Sequence, residues 1–170
     1  LGNKDIENML DDKSAAILTL AVKSKVPFDK IVILSNKDEA KWPQFERFLK
    51  KKMAISGRPN HSVEVCRVHI ESPIDYQSIA QETERWISKL SEEAETLSIN
   101  LTSGTPAMTT LSVLIGKGKP NTCFLQATPN NELIEVEIPL DFGKAYIKSA
   151  AKNIAATATQ LPVKHSAFSE

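Results

Sequence analysis

The run Thr102-Ser103-Gly104-Thr105-Pro106-Ala107 brings three hydroxyl side chains and a glycine to the point where an apolar strand ends and a helix begins. Thr105 suits the N-cap position and Pro106 the first helical position. The next amides, of Ala107 and Met108, have no acceptor within the helix and stand at the positive end of its dipole. Gly104 lets a ligand approach the backbone closely, and the hydroxyls of Thr102, Ser103 and Thr105 can donate to ligand oxygens. Together these groups form a cradle for an anion, phosphate above all. The same run also reads simply as a capped helix start that holds nothing.

Two other segments are expected at the same sheet edge: Gly2-Asn3-Lys4-Asp5 and Ser35-Asn36-Lys37. Asn3 and Asn36 carry the paired donor and acceptor that a base or ribose requires. Lys4 and Lys37 can add positive charge at the rim, although a lone lysine is more often a solvated one. Asn100 points by alternation away from the side of Ile99 and Leu101, which suits it to fixing the loop rather than touching a ligand. The local pattern itself offers the Thr102–Ala107 run as the binding candidate, with no catalytic and no metal-ligating residue in it.

Other motifs do not hold up. Gly116-Lys117-Gly118-Lys119 has the composition of a phosphate loop but lacks the Walker A spacing and the hydroxyl residue after lysine. It suits a helix end with Gly118 near the C′ position. No GxGxxG follows a strand, and Ser103 sits in no GxSxG elbow and has no evident His and Asp partners. His61, His69 and His165 are too far apart for metal-ligand spacing. Asp11, Asp12 and Asp38 read as solvated loop residues.

Five segments have the pattern of strands: residues 30–34, 62–70, 97–101, 122–127 and 133–138. The first is continuously apolar after Lys30, as in a strand covered on both faces. The last two flank Thr128-Pro129-Asn130-Asn131, a turn cluster that predicts an antiparallel hairpin. Between the strands lie helical stripes. Ser14 can cap a helix beginning at Ala15; Trp42, Phe45, Phe48 or Leu49, and Met53 share one face, with Pro43 in the first turn. Tyr76, Ile79, Thr83, Trp86 and Leu90 share another, and residues 107–117 and 145–158 form two more helices. This alternation predicts an α/β, Rossmann-like, mainly parallel sheet with helices on both faces and a C-terminal hairpin at its edge. In such a sheet, ligands bind at the carboxyl ends of strands where the winding reverses. The chain opens at Leu1 rather than Met, and Leu1-Gly2 reads as the stub of a first strand whose body lies upstream.

Composition narrows the function classes. The chain has 170 residues, 41% of them hydrophobic and 25% charged, which suits one soluble domain with a core of its own. Its 21 basic and 21 acidic residues sum to a net charge of +0, so no overall field draws in long nucleic acid, and direct binding to duplex DNA is not expected. Two cysteines, Cys66 and Cys123, without a CxxC or a secretory signal, predict a reducing, cytoplasmic setting. No segment has the length of a membrane span. Residues 1–158 are expected to form the domain, and residues 159–170, with Pro162, small polar groups and no periodicity, a linker leading onward.

Asn100-Leu101-Thr102-Ser103-Gly104-Thr105-Pro106-Ala107-Met108 resembles the strand-and-loop signature of CARF domains, the CRISPR-associated Rossmann fold. Gly2-Asn3-Lys4-Asp5 matches the loop after the first strand in the same group. Val136-Glu137-Ile138-Pro139-Leu140-Asp141-Phe142 resembles the last strand of CARF domains from bacterial transcription activators. His165-Ser166-Ala167-Phe168-Ser169-Glu170 looks like the approach to the AAA+ module of sigma-54-dependent activators, among them regulators of RNA repair. The loop departs from the RNA-repair pattern and lies closer to the general CARF form. The resemblance implies a homodimer that binds a cyclic oligoadenylate or an RNA end and controls an attached effector in transcription regulation. Carried over residue by residue, it makes Gly2, Asn3, Asp5, Thr102, Ser103, Gly104, Thr105 and Pro106 the candidate binding residues, joined by Ser35 and Asn36 after the second strand. It makes residues 1–158 the ligand-sensing domain and residues 159–170 a linker toward a missing C-terminal effector. No cofactor is expected in the domain itself. The domain is read as a sensor rather than a self-sufficient enzyme. The rival is a CARF-type nuclease, a metal-independent ring nuclease or the sensor of a CRISPR ribonuclease, although no general base is identifiable. A third reading is a dimerisation module whose loop is only a helix cap.

Overall fold

A computed structural model describes residues 7–8, 15–25, 27–36, 39–58 and 62–139. The chain divides into two compact units, Leu1–Glu137 and Ile138–Glu170. Of the second, only Ile138 and Pro139 are described. The expected helix at residues 145–158 and the expected boundary after residue 158 lie outside the described residues.

In the first unit, helix α1 (Ala16–Lys23) precedes strand β1 (Lys30–Ser35), helix α2 (Trp42–Ile55) and strand β2 (Ser62–Arg67). Helix α3 (Tyr76–Glu93) leads to β3 (Leu97–Asn100), and α4 (Pro106–Gly116) leads to β4 (Thr122–Ala127) and β5 (Leu133–Glu135). β1 and β2 pair in parallel, from Lys30 opposite Ser62 to Ser35 opposite Arg67. β3 and β4 are also parallel, from Leu97 opposite Thr122 to Asn100 opposite Leu125. β5 closes an antiparallel hairpin on β4. The chain thus has the expected α/β, Rossmann-like organisation, and among the described residues the strands form a two-stranded and a three-stranded sheet.

The apolar run of β1 is explained by two cores. Ile31 and Ile33 join Val63 and Val65 under Ile17 and Ala21 of α1 and Phe45, Leu49 and Met53 of α2. On the opposite face, Val32 and Leu34 pack with Cys66, Val68 and Trp86 of α3. α3 lies against α4, whose Gly116 faces Ile99 and Phe124 so closely that an added Cβ would stand 2.8 Å from the isoleucine. Helices α1 and α2 therefore cover one face, and α3 and α4 the other. Truncating Met53, 1% exposed, to alanine would leave a cavity costing about 2–5 kcal/mol.

Several ends differ in detail from expectation. The N-cap of α1 is Ala15, which makes no side-chain cap; Ser14 lies outside the described residues. β2 stops at Arg67 rather than residue 70, because Val68 makes the last ladder bond, to the Ser35 carbonyl at 3.0 Å. A 3-10 turn at Glu39–Lys41, unanticipated from the sequence, brings Glu39 to an ion pair with Arg67. Gly118 follows the C-cap Lys117 of α4, where the sequence put the helix end. The hairpin loop closes as expected, with Asn131 in the left-handed region at φ 59°.

Candidate functional site

β3 ends at Asn100, whose side chain organises the loop into α4. Its Oδ1 accepts from the Thr102 amide at 3.0 Å, and its Nδ2 donates to Ser103 Oγ at 3.2 Å. Thr102 Oγ1 then accepts from the Ala127 amide at 2.7 Å. Leu101 still donates to the Leu125 carbonyl, so the threonine hydroxyl replaces the backbone acceptor that the next rung would have used. Gly104 adopts φ +104°, a region L side chains rarely enter. Its backbone lies against Met108, whose Cβ and Sδ would stand 3.2 and 3.3 Å from an added Cβ.

Thr105 is the N-cap of α4, with Pro106 at the helix start, as the sequence indicated. Its hydroxyl accepts from the Met108 amide at 3.4 Å and donates to the Pro73 carbonyl at 2.8 Å. Its own amide reaches Met108 Sδ at 3.5 Å, a weak reciprocal cap. The Thr105 proton is thus used within the protein, and the Met108 amide is capped, so neither faces a ligand as the sequence suggested. The amides of Ser103, Gly104 and Ala107 have no acceptor among the described residues. The hydroxyls of Thr102 and Ser103 each accept one bond from the protein and keep a proton to donate. This set is chemically suited to an anion: amide donors at a helix mouth, two hydroxyls and no side-chain carboxylate in the loop.

Ser35 closes β1 and is buried, 2% exposed, with its carbonyl on the Val68 amide. Asn36 is exposed and donates from Nδ2 to the Ile70 carbonyl at 3.3 Å. Gly2, Asn3 and Asp5, like Lys4 and Lys37, lie outside the described residues. The connector from Val68 to Asp75 was missed in the sequence, yet it joins the two strand ends. Asn36 holds it at Ile70, and Thr105 holds it at Pro73, 32 residues away in the chain. It then starts α3 through Asp75, whose carboxylate accepts from the Gln77 and Ser78 amides at 3.2 and 3.1 Å. The Ser78 hydroxyl and amide, and to a lesser degree the Gln77 amide, hold Asp75 below the ordinary carboxylate value. Ile74 and Tyr76, 76% and 58% exposed, flank this cap. Asp75 followed by Ser78 ahead of an apolar stripe was the available signal for the cap.

Among the described residues, no three His, Cys, Asp or Glu side chains are grouped as metal ligands, and no helix is long and apolar enough to cross a membrane. Cys66 and Cys123 are free thiols.

No family model and no curated protein sequence matches the chain. Solved structures do. Csm6 from Enterococcus italicus, bound to cyclic hexa-2'-fluoro-hexa-dAMP, superimposes with a TM-score of 0.64 at 19% identity, covering 88% of this chain and 43% of that one. Can2 from Sulfobacillus thermosulfidooxidans, in complex with cyclic tetra-adenylate, gives a TM-score of 0.49 at 17% identity, covering 74% and 35%. The likeness to Csm6 is one of fold, and this chain spans less than half of that protein's length.

Proposed function

We propose that this chain is a CARF-type sensor domain that binds a cyclic oligoadenylate or a related RNA-derived nucleotide and controls an attached effector. The carrying observation is the mouth of α4, where the amides of Ser103, Gly104 and Ala107 have no acceptor among the described residues, beside two hydroxyls that can still donate. Support comes from the fold held in common with a Csm6 that was solved with a cyclic deoxyadenylate analogue bound.

In this reading a ligand phosphate takes the three amides and the Thr102 and Ser103 hydroxyls. Gly2, Asn3 and Asp5 close over a base or ribose, and Ser35 and Asn36 line the other strand end. Because Asn36 and Thr105 both grip the Val68–Asp75 connector, movement at the mouth is transmitted to the N-terminus of α3. The domain works in the cytoplasm as a homodimer and passes the change to a C-terminal effector, the ATPase module of a sigma-54-dependent transcription activator. A ligand drives this only by binding one arrangement better than the other.

The test is titration calorimetry of the folded chain with cyclic tetra-adenylate, cyclic hexa-adenylate and a short RNA carrying a terminal phosphate. One of them should bind, and Ser103→Asp, which sets a carboxylate against the phosphate, should weaken it at least about tenfold. Absence of heat from all three with a folded chain, or equal affinity in Ser103→Asp, defeats the proposal.

A further inference from the structure

We infer that residues 72–75 and the first residue of α3 form the base-recognising half of the candidate site, with Ile74 and Tyr76 as a platform for a nucleobase of the ligand whose phosphate sits at the mouth of α4. This rests on the sensor reading above and adds to it two side chains that no part of that reading assigns.

Large apolar side chains exposed singly, as Ile55, Leu114 and Ile134 are along the chain, need no explanation. Ile74 and Tyr76 are different, because they stand two residues apart, both exposed, on either side of Asp75. Elsewhere the chain covers open backbone with its own groups: on the side of β2 away from β1, Glu46 Oε1 accepts from the Val65 amide at 2.9 Å. Ile74 and Tyr76 receive no such cover. The local fold does not ask for them either. The Asp75 amide donates to the Ser72 carbonyl at 3.0 Å, which makes a turn with Pro73 and Ile74 at its two central positions. Serine at the first corner and proline at the second are what such a turn prefers. Turn positions otherwise favour glycine, asparagine, aspartate and serine, and a β-branched isoleucine there gains nothing from the turn itself.

The turn is fastened at both ends and in the middle. The Glu71 amide donates to Ser78 Oγ at 3.2 Å, the Ile74 amide to Ser72 Oγ at 3.4 Å, and the Asp75 carboxylate caps α3. Thr105, the N-cap of α4, donates its hydroxyl to the Pro73 carbonyl at 2.8 Å. That carbonyl and the Ile74 amide belong to one peptide unit, so the mouth of α4 is bonded to the peptide that carries Ile74. A surface already ordered in this way loses little affinity to conformational entropy when a ligand settles on it. Charge then selects which part of the ligand goes where. The loop at residues 102–105 has no side-chain carboxylate and offers amides and hydroxyls, which suits a phosphate. The Asp75 carboxylate, between Ile74 and Tyr76, repels a phosphate and leaves the turn to a neutral group. An aromatic ring with an aliphatic neighbour is the surface on which a base stacks, and a base lies one sugar away from its phosphate.

Nuclear magnetic resonance of the folded chain with labelled isoleucine δ1 methyls tests this. The probes are cyclic tetra-adenylate, cyclic hexa-adenylate and a short RNA with a terminal phosphate, with ribose 5-phosphate as the base-free control. A base stacked on the platform should move the Ile74 methyl upfield with the probe that binds and leave it in place with ribose 5-phosphate. Tyr76→Ala should weaken that probe by about 5- to 150-fold, the range for losing one base–aromatic contact. Tyr76→Phe keeps the ring and should hold the affinity within about twofold. If Tyr76→Ala does not fold, Ile74→Asn, which suits a turn, should weaken the same probe severalfold. Binding that Ser103→Asp weakens but Tyr76→Ala and Ile74→Asn leave unchanged would overturn the platform and spare the sensor reading. So would an Ile74 methyl that moves as far with ribose 5-phosphate as with the full ligand. No binding by any of the three probes removes the sensor reading, and this inference with it.

Discussion

Gly104→Ala isolates the backbone geometry on which the candidate site depends. At φ +104° the residue lies well outside the left-handed well near +57°, and a non-glycine residue held there costs about 1–3 kcal/mol. The new methyl would also meet Met108 Cβ at 3.2 Å and Sδ at 3.3 Å. The Cβ, fixed to α4, keeps its contact in any rotamer, while the sulfur can move away only if the methionine leaves its rotamer, for roughly 0.5–1.5 kcal/mol. The sum is about 2–4 kcal/mol. For a chain of this size that corresponds to a fall in Tm of about 5–15 °C. Gly57 is the internal control. Its φ is +76° and nothing stands within 4 Å, so Gly57→Ala carries only the conformational part, about 1–2 kcal/mol. Thermal and urea unfolding of both variants, with Met108→Ala alone and with Gly104→Ala, gives the coupling between positions 104 and 108. Relief of roughly 1 kcal/mol is expected in the double variant. A Gly104→Ala loss no larger than that of Gly57→Ala, or no coupling to Met108, would refute the geometry.

Thr102→Val removes the acceptor of the Ala127 amide while keeping the side-chain shape, and should lower urea-derived stability by about 1–2 kcal/mol; no shift in midpoint would count against that bond. The folded-state value of Asp75 is lowered, so its stabilising charge is fully present above the unfolded value, about 3.9, and disappears as pH falls through the folded one. Asp75→Asn keeps an N-cap acceptor without the charge. The Tm difference between wild type and this variant should be constant above about pH 5 and close below about pH 4; a difference independent of pH would contradict the assignment. Burial, followed by Glu64, pushes the Cys66 thiol up to about 11. Iodoacetamide at pH 7.5 should leave Cys66 unmodified in the folded chain and label it in urea, with peptide mass as the readout; prompt native labelling would show the thiol to be accessible.

The sequence was most legible where one local cause sets one local outcome. β1 reads as a strand covered on both faces because Ile31 and Ile33 enter one core while Val32 and Leu34 enter the other. Thr105-Pro106 reads as a helix start because an N-cap hydroxyl and a fixed φ act within four residues. Asn100 was placed with the loop rather than the ligand by alternation alone, and its two bonds do hold the loop. Illegible were the contacts that the fold brings from afar. The Pro73 carbonyl takes the Thr105 proton, and Met108 fills the space beside Gly104, so two donors assigned to a ligand are committed inside the protein. The grouping of the described strands into two sheets was likewise hidden, since strand propensity says nothing about which edges find partners.

The Glu46 carboxylate on the Val65 amide has a colloidal consequence. A bare outer rim on a parallel sheet is a template on which further copies polymerise, and a charged group seated on it ends that growth. In the second sheet, β5 is only three residues long, with Glu135 exposed, and gives an incoming chain little to register against. Both edges are thereby made unfit for fibre propagation. Replacing Glu46 with alanine would bare the Val65 amide, and such a preparation should cloud on concentration sooner than the wild type.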